Sequence, residues 1–286
     1  MTDLNEWIGR AEERLDLITP APVRALAATL DHDDATALPG EALPPLWHWL
    51  YFLPMHRQAV IGADGHPARG GFLPPVDLPR RMWAGGRLKF LRPLRIGDAV
   101  LRVSRITDVS KKEGRSGSLA FIQVRHEIRN DRGLAITEEH DIVYRNHPLP
   151  GDPVAEPVQA DNDWHWMRDI VPDPVLLFRY SALTFNGHRI HYDLPYATQV
   201  EGYPGLVVHG PLVATLLLDL LHRNWPAAEV AEYSFRAMQP LFHDKPFQVC
   251  GRVHADGKTV SLWARNEQGH LSMRAEAILN KANNEE

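Results

Sequence analysis

Residues 209–221 read HGPLVATLLLDLL. From Pro211 onward the run is Leu-rich and unbroken by Gly or Pro for about three turns, which predicts a helix buried on all sides. Working outward, the same Pro-Leu opening introduces PLWHWLYFL at Pro45, so one such helix is expected in each half of the chain. Two more correspondences follow. LKFLRPL (88–94) aligns with FRAMQPL (235–241) at a shift of 147, and RNDRG (129–133) aligns with RNEQG (265–269) at a shift of 136. Both pentapeptides are polar turns between strand-like runs: SLAFIQVRHEI and LAITEEHDIVY in the first half, TVSLWA and HLSMRAEAIL in the second. Each half is therefore expected to form antiparallel hairpins. A degenerate repeat of this length marks two copies of one domain rather than a solenoid. The expected domains are 1–147 and 161–286, with a Pro-rich linker at 148–160. The fold class is α+β: a tandem arrangement of two antiparallel sheets, each wrapping a central helix.

With 286 residues, 44% hydrophobic and 23% charged, the chain can bury a substantial core. It has no run approaching the roughly 18 apolar residues needed to cross a bilayer, and the start MTDLNEWIGRAEE lacks the features of a secretion signal, so a cytoplasmic protein is expected. A formal charge of −5 gives no basic excess for nucleic acid. The one cysteine, Cys250, rules out an internal disulfide and reads as a small buried residue.

Chemistry concentrates in Phe178–Asp193, FRYSALTFNGHRIHYD, and in the His209-Gly210 pair ahead of the predicted helix. His188, His191 and Asp193 lie within six residues. The Gly210 N–H sits where a helix start leaves donors unpaired and the dipole favours negative charge, which makes it a candidate oxyanion donor. Its missing side chain would also admit a carbonyl closely. Glycine is equally acceptable at helix starts on local grounds alone. His188, His191 and Asp193 are metal-ligand types, but no Cys ligand or HExxH spacing accompanies them, and no metal is expected.

PPLWHWLYFLP (44–54), GADGHPARGGFLPPVDLPRRMWAGG (62–86), FRYSALTFNGHRIHYD and LVVHGPL (206–212) together resemble the MaoC-like hydratases and type 2 hydroxyacyl-thioester dehydratases, most of all the mesaconyl-CoA and itaconyl-CoA hydratase group. The resemblance spans nearly the whole chain. It implies a double hotdog fold and water addition to an enoyl thioester, with an acyl-CoA as substrate and no separate cofactor. The family motif D-x-N-P-x-H implies an acid/base histidine at His191. Here Asn186 stands in place of the aspartate, and His188-Arg189 replaces Asn-Pro. An amide cannot take a proton from water at neutral pH, though it can hold one in place. On that reading His191 is the base, Asn186 orients the water, and His188 is a second acid/base or a substrate contact. Asp193 would fix an imidazole tautomer, and His209 would line the substrate site. A homodimer is the expectation by fold analogy.

The first half has no matching His-x-x-His segment, so it is expected to contribute substrate recognition. Residues 55–86 hold six Gly and four Pro and carry His56, Arg57, His66, Arg69, Arg80 and Arg81 against Asp64 and Asp77. A long loop of this kind reads as a lid or binding loop. Arg69, Arg80 and Arg81 are candidates to grip CoA phosphates or a free carboxylate on the acyl group; any one of them could equally be a solvated surface charge. Trp47, Trp49 and Trp83 read as packing, and Lys89 and Arg236 as equivalent strand-edge residues. The alternatives are dehydration of 3-hydroxyacyl thioesters on a carrier protein, a hotdog thioesterase, and a non-catalytic acyl-CoA sensor. A thioesterase would want a carboxylate near the helix start, and the first acid of the helix is Asp219.

Overall fold

A computed structural model describes residues 3–33, 36–114, 117–147 and 156–280. Most of the expected linker, 148–155, lies outside these residues. In chain order the elements are β1 (Ala11–Leu17), α1 (Pro20–Thr29), β2 (Arg80–Phe90), β3 (Ala99–Gly114), β4 (Gly117–Asn130), β5 (Gly133–Arg145), β6 (Trp166–Ile170), α2 (Pro174–Leu183), α3 (Gly210–Asn224), β7 (Val230–Ala237), β8 (Phe247–Val253), β9 (Thr259–Asn266) and β10 (Leu271–Leu279).

The strand order is β1-β3-β4-β5-β2-β7-β10-β9-β8-β6. Read from the centre outward, the two halves are the same list: β2, β5, β4, β3, β1 on one side and β7, β10, β9, β8, β6 on the other. The aligned RNDRG and RNEQG turns close the β4–β5 and β9–β10 hairpins, with Gly133 at φ 104° and Gly269 at φ 79°, values at which an L side chain would be strained. The aligned LKFLRPL and FRAMQPL segments supply β2 and β7, which pair antiparallel across the middle through Gly86↔Phe235 and Leu88↔Tyr233. The expectation of two sheets is corrected here: the seam joins both halves into one ten-stranded sheet. Lys89 is accordingly central rather than at an edge, paired at 3.0 Å with Glu232.

The helix expectation holds for the second half only. In α3, Leu212, Val213, Ala214, Leu216, Leu217, Leu218, Leu220 and Leu221 are all buried, each large one contributing roughly 2 kcal/mol of transfer free energy. Gly210-Pro211 opens the helix, as proline suits the first turn, and the Trp225 N–H closes it on the Leu221 carbonyl at 2.8 Å. In the first half, PLWHWLYFL forms only a 3-10 turn at Trp47–Leu50. Leu46 (φ 70°) and Phe52 (φ 56°) are left-handed, and Pro44, Pro45 and Pro54 bracket a stretch too short to sustain a helix. This turn carries polar groups inward. His48 Nε2 (3.0 Å), Trp49 Nε1 (2.8 Å) and His140 Nε2 all donate to Glu138, which is 2% exposed. Trp49 and Trp83 pack edge-on at 5.0 Å and both meet Phe235 across the seam, as packing residues should. Cys250 is fully buried beside Trp263.

Candidate active site

The site grows from the end of α2. Asp173 caps that helix, its carboxylate accepting from the Leu176 N–H at 2.7 Å. At the other end Phe185 turns left-handed (φ 49°), and the Asn186 N–H closes on the Ser181 carbonyl at 2.8 Å. The chain then enters the His188–Asp193 loop, with a 3-10 turn at Arg189–His191. His191, 8% exposed, donates from Nδ1 to the Val207 carbonyl at 2.7 Å. That bond leaves Nε2 as the proton-accepting nitrogen. Burial first, opposed by the Val207 bond, brings the His191 imidazole down to about 4.

His209, 0% exposed, stacks on His191 with centroids 3.7 Å apart and planes at 18°. Its Nε2 meets Ser181 Oγ at 2.8 Å, and burial, then its histidine neighbours, hold it well below the ordinary imidazole value. It therefore backs His191 rather than lining open space. Gly210 follows as the first residue of α3. The first helical bond runs from the Val213 N–H to the His209 carbonyl (3.1 Å), so the Gly210 N–H precedes the ladder; a Cβ built on Gly210 would meet nothing within 4 Å. His188 stands edge-on to His191 at 5.4 Å, and burial, then His66 and His191, drive it down to about 2.

Other expected residues are occupied differently. The Asn186 Oδ1 accepts from the His188 N–H at 3.0 Å, which makes Asn186 a turn-former. Asp193 fixes no imidazole; it binds Arg189 Nε (2.9 Å) and Nη2 (2.7 Å) and the Tyr196 N–H (3.1 Å). Arg69 ties the loop together through the Val76 (2.5 Å) and Pro79 (2.8 Å) carbonyls. Arg80 is buried against Glu201 at 3.1 Å and lies over the Tyr203 ring. Arg81, on the neighbouring position of β2, instead acts electrostatically on His66 and His188. The insertion thus ends at Pro79, since Arg80 and Arg81 already belong to β2.

The sequence reading placed His66 and Asp64 only within a basic loop, but the structure brings both into the site. Residues 61–67 form a tight hairpin, bridged at Ile61↔Pro67 and closed by the Gly62 N–H on the His66 carbonyl (2.7 Å). The hairpin docks on the second half: the Arg189 N–H donates to the Asp64 carbonyl (2.9 Å), and Arg189 Nη1 donates to the Ala63 carbonyl (2.9 Å). Gly65 (φ 88°) lies so close to Gly187 that a Cβ would fall 1.8 Å from the Gly187 oxygen. His66 then packs on His188 at 4.1 Å. Asp64 receives the His66 N–H (2.9 Å) and His66 Nδ1 (3.2 Å). Burial raises the Asp64 carboxyl, but these His66 bonds outweigh it and hold it well below the carboxylate range. The one local signal was Asp64-Gly65-His66, an Asx-turn pattern.

Among the described residues no three His, Cys, Asp or Glu side chains are arranged to hold a metal ion. Asp219, the helix acid, is buried at the far end of α3 and takes His32 Nε2 (2.6 Å), Arg223 Nε (2.7 Å) and Arg168 Nη1 (3.1 Å). It sits beside a cleft of about 600 Å³ that none of the four site imidazoles, His66, His188, His191 and His209, lines. His188 and His191 are thus held neutral in the loop that leads to α3, and the Gly210 N–H precedes the hydrogen-bond ladder of that helix.

Comparison with known proteins identifies the family and the fold. The chain is 48% identical over 277 residues to the mesaconyl-C(4)-CoA hydratase of Chloroflexus aurantiacus, covering 96% of both chains. Its fold matches a MaoC-like dehydratase (TM-score 0.71, 16% identity, 96% and 99% coverage). It also matches a Mycobacterium tuberculosis protein described as a double hotdog (TM-score 0.57, 14% identity, 96% of each chain). The family described as hydroxyacyl-thioester dehydratase type 2 matches residues 46–243. With a double hotdog fold and this match over most of its length, the chain belongs to the hydroxyacyl-thioester dehydratase type 2 family, a family of hydratase and dehydratase enzymes.

Proposed function

We propose that the protein hydrates a short dicarboxylic enoyl-CoA, mesaconyl-C4-CoA or itaconyl-CoA, to citramalyl-CoA, without a cofactor. The observation that carries this reading is the 48% identity, over 96% of both chains, to a mesaconyl-C(4)-CoA hydratase. For mesaconyl-C4-CoA, whose double bond is conjugated with the thioester, His191 Nε2 takes a proton from water as its oxygen bonds to the β-carbon. The Gly210 N–H, at the positive end of α3, receives the charge developing on the thioester oxygen. Arg81 is the arginine of the three candidates left to meet the free carboxylate, since Arg69 and Arg80 already hold protein partners. The proposal places the enzyme in the cytoplasm as a homodimer; no described helix is long and apolar enough to span a membrane.

Mass spectrometry of the protein incubated with itaconyl-CoA, mesaconyl-C4-CoA and crotonyl-CoA tests the reading. Gain of one water on the dicarboxylic thioesters, lost in His191→Ala, is expected. Turnover of crotonyl-CoA alone would favour a fatty-acyl dehydratase, and release of free coenzyme A would make the protein a thioesterase.

A further inference from the structure

Water addition needs an activated water held in one orientation, and a single imidazole does not fix it. Water has two O–H bonds, and directing its lone pair at the β-carbon requires an acceptor for each. His191 Nε2 supplies one. Asn186, the neighbouring candidate, has its carbonyl oxygen committed to the His188 N–H. His188 makes ring contacts on both sides, to His66 and to His191, and among the described residues no carboxylate bonds to its ring.

His66 is built differently. A carboxylate held ionised can only accept, so Asp64 at 3.2 Å places the proton on His66 Nδ1 and leaves Nε2 as the acceptor. The docked hairpin fixes the position: backbone bonds from Arg189 at 2.9 Å and the glycine-on-glycine contact allow it little freedom. The ring lies 4.1 Å from His188 and close enough to act electrostatically on His191. We propose that His66, oriented by Asp64, is a further catalytic residue, its Nε2 accepting the second O–H of the water that His191 deprotonates.

This inference rests on the hydratase reading and deepens it. The O–H facing His191 breaks, its proton moves to His191 Nε2, and the oxygen bonds to the β-carbon. The double-bond electron pair shifts toward the α-carbon and the thioester oxygen. The α-carbon then takes the proton back from His191. The O–H facing His66 stays intact and becomes the product hydroxyl, so atoms and electrons balance with no other reactant. Burial, then Arg81, lowers the His66 imidazole against the pull of Asp64, which keeps it the neutral acceptor this role requires. The active site is in this sense shared: the first half orients the water and the second deprotonates it.

The test is steady-state hydration by full-length His66→Ala, His66→Gln and Asp64→Asn, with thermal melts to verify folding and Gly65→Ala to displace the hairpin. His66→Ala is expected to lose about 100-fold in kcat with KM within about threefold, and added imidazole should restore part of the loss. His66→Gln, which keeps an acceptor oxygen and fills the space, should retain more activity than the alanine variant. Asp64→Asn should lose about tenfold, and Gly65→Ala should lose activity that imidazole does not restore. A folded His66→Ala enzyme within twofold of wild type overturns the inference alone, as does a loss that imidazole leaves untouched and glutamine does not lessen. A wild-type protein that hydrates no enoyl-CoA overturns the functional reading and this inference together.

Discussion

Acid should destabilise this protein well above the carboxylate range, because burial lowers five of its imidazoles in the native state, His66 and four that are driven well down. Burial is the largest cause at His126, His188, His191 and His209, with His191 down to about 4 and His188 down to about 2. A histidine depressed in this way takes up a proton only on unfolding. Native stability is therefore intact above its ordinary value near 6.5 and falls as pH drops below it. At pH 5.5 the unfolded chain gains about 1.4 kcal/mol per such histidine, and the size of each native depression hardly matters once it exceeds about two units. For the four together, moving from pH 7.5 to 5.5 should cost about 5 kcal/mol, comparable with the whole stability of many domains. Carboxylates contribute little in that window, since they are ionised in both states. Urea unfolding at the two pH values measures the difference directly. His126→Gln, outside the active site and bonded to Ser104 at 2.8 Å, should shrink the difference by about 1.4 kcal/mol. A total change below about 2 kcal/mol, or histidine ring protons titrating near 6.5 in the folded protein, would refute the argument.

Arg81→Gln should raise KM for the dicarboxylic thioesters about tenfold or more and leave crotonyl-CoA kinetics nearly untouched, as a carboxylate contact requires. Asp219→Ala should destabilise by about 3 kcal/mol in urea titrations, because it removes the buried carboxylate that Arg168, Arg223 and His32 all bind. Gly210→Ala should leave thermal stability within about 0.5 kcal/mol of wild type, given the open space at its Cβ, while cutting kcat at least tenfold by obstructing the thioester. An alanine variant of normal activity would place the thioester elsewhere.

What could be read from the residues alone was whatever depends on neighbours in sequence. The RNDRG and RNEQG turns, the alternation on either side of them and the Leu-rich run of α3 are local signals, and each produced its element. The matching PLWHWLYFL failed because its flanking prolines and two left-handed residues outweighed its apolar character. The single sheet was not legible, since no residue in β2 announces that its free edge will pair with β7. Within the candidate site, His188 and His191 stand out in the sequence because they lie three residues apart, and Gly210 because it opens the Leu-rich run. His66 lies 122 positions before His188, and its arrival depends on the whole path of the 55–79 loop. The arginines were not separable in sequence: charge composition says that a loop is basic, but not that Arg69 and Arg80 hold a carbonyl pair and a glutamate while Arg81 does not.

The β2–β7 seam also bears on how the protein behaves at low concentration. Two separate hotdog chains meeting along such an edge would come apart on dilution, and any site built from both would vanish with them. Here the two strands belong to one polypeptide, so their encounter is intramolecular and its equilibrium does not depend on how many molecules are present. The docking of the residue 61–67 hairpin on the Arg189 loop inherits that independence. Specific activity should accordingly hold constant as the enzyme is diluted into the nanomolar range, whatever becomes of its assembly with other copies.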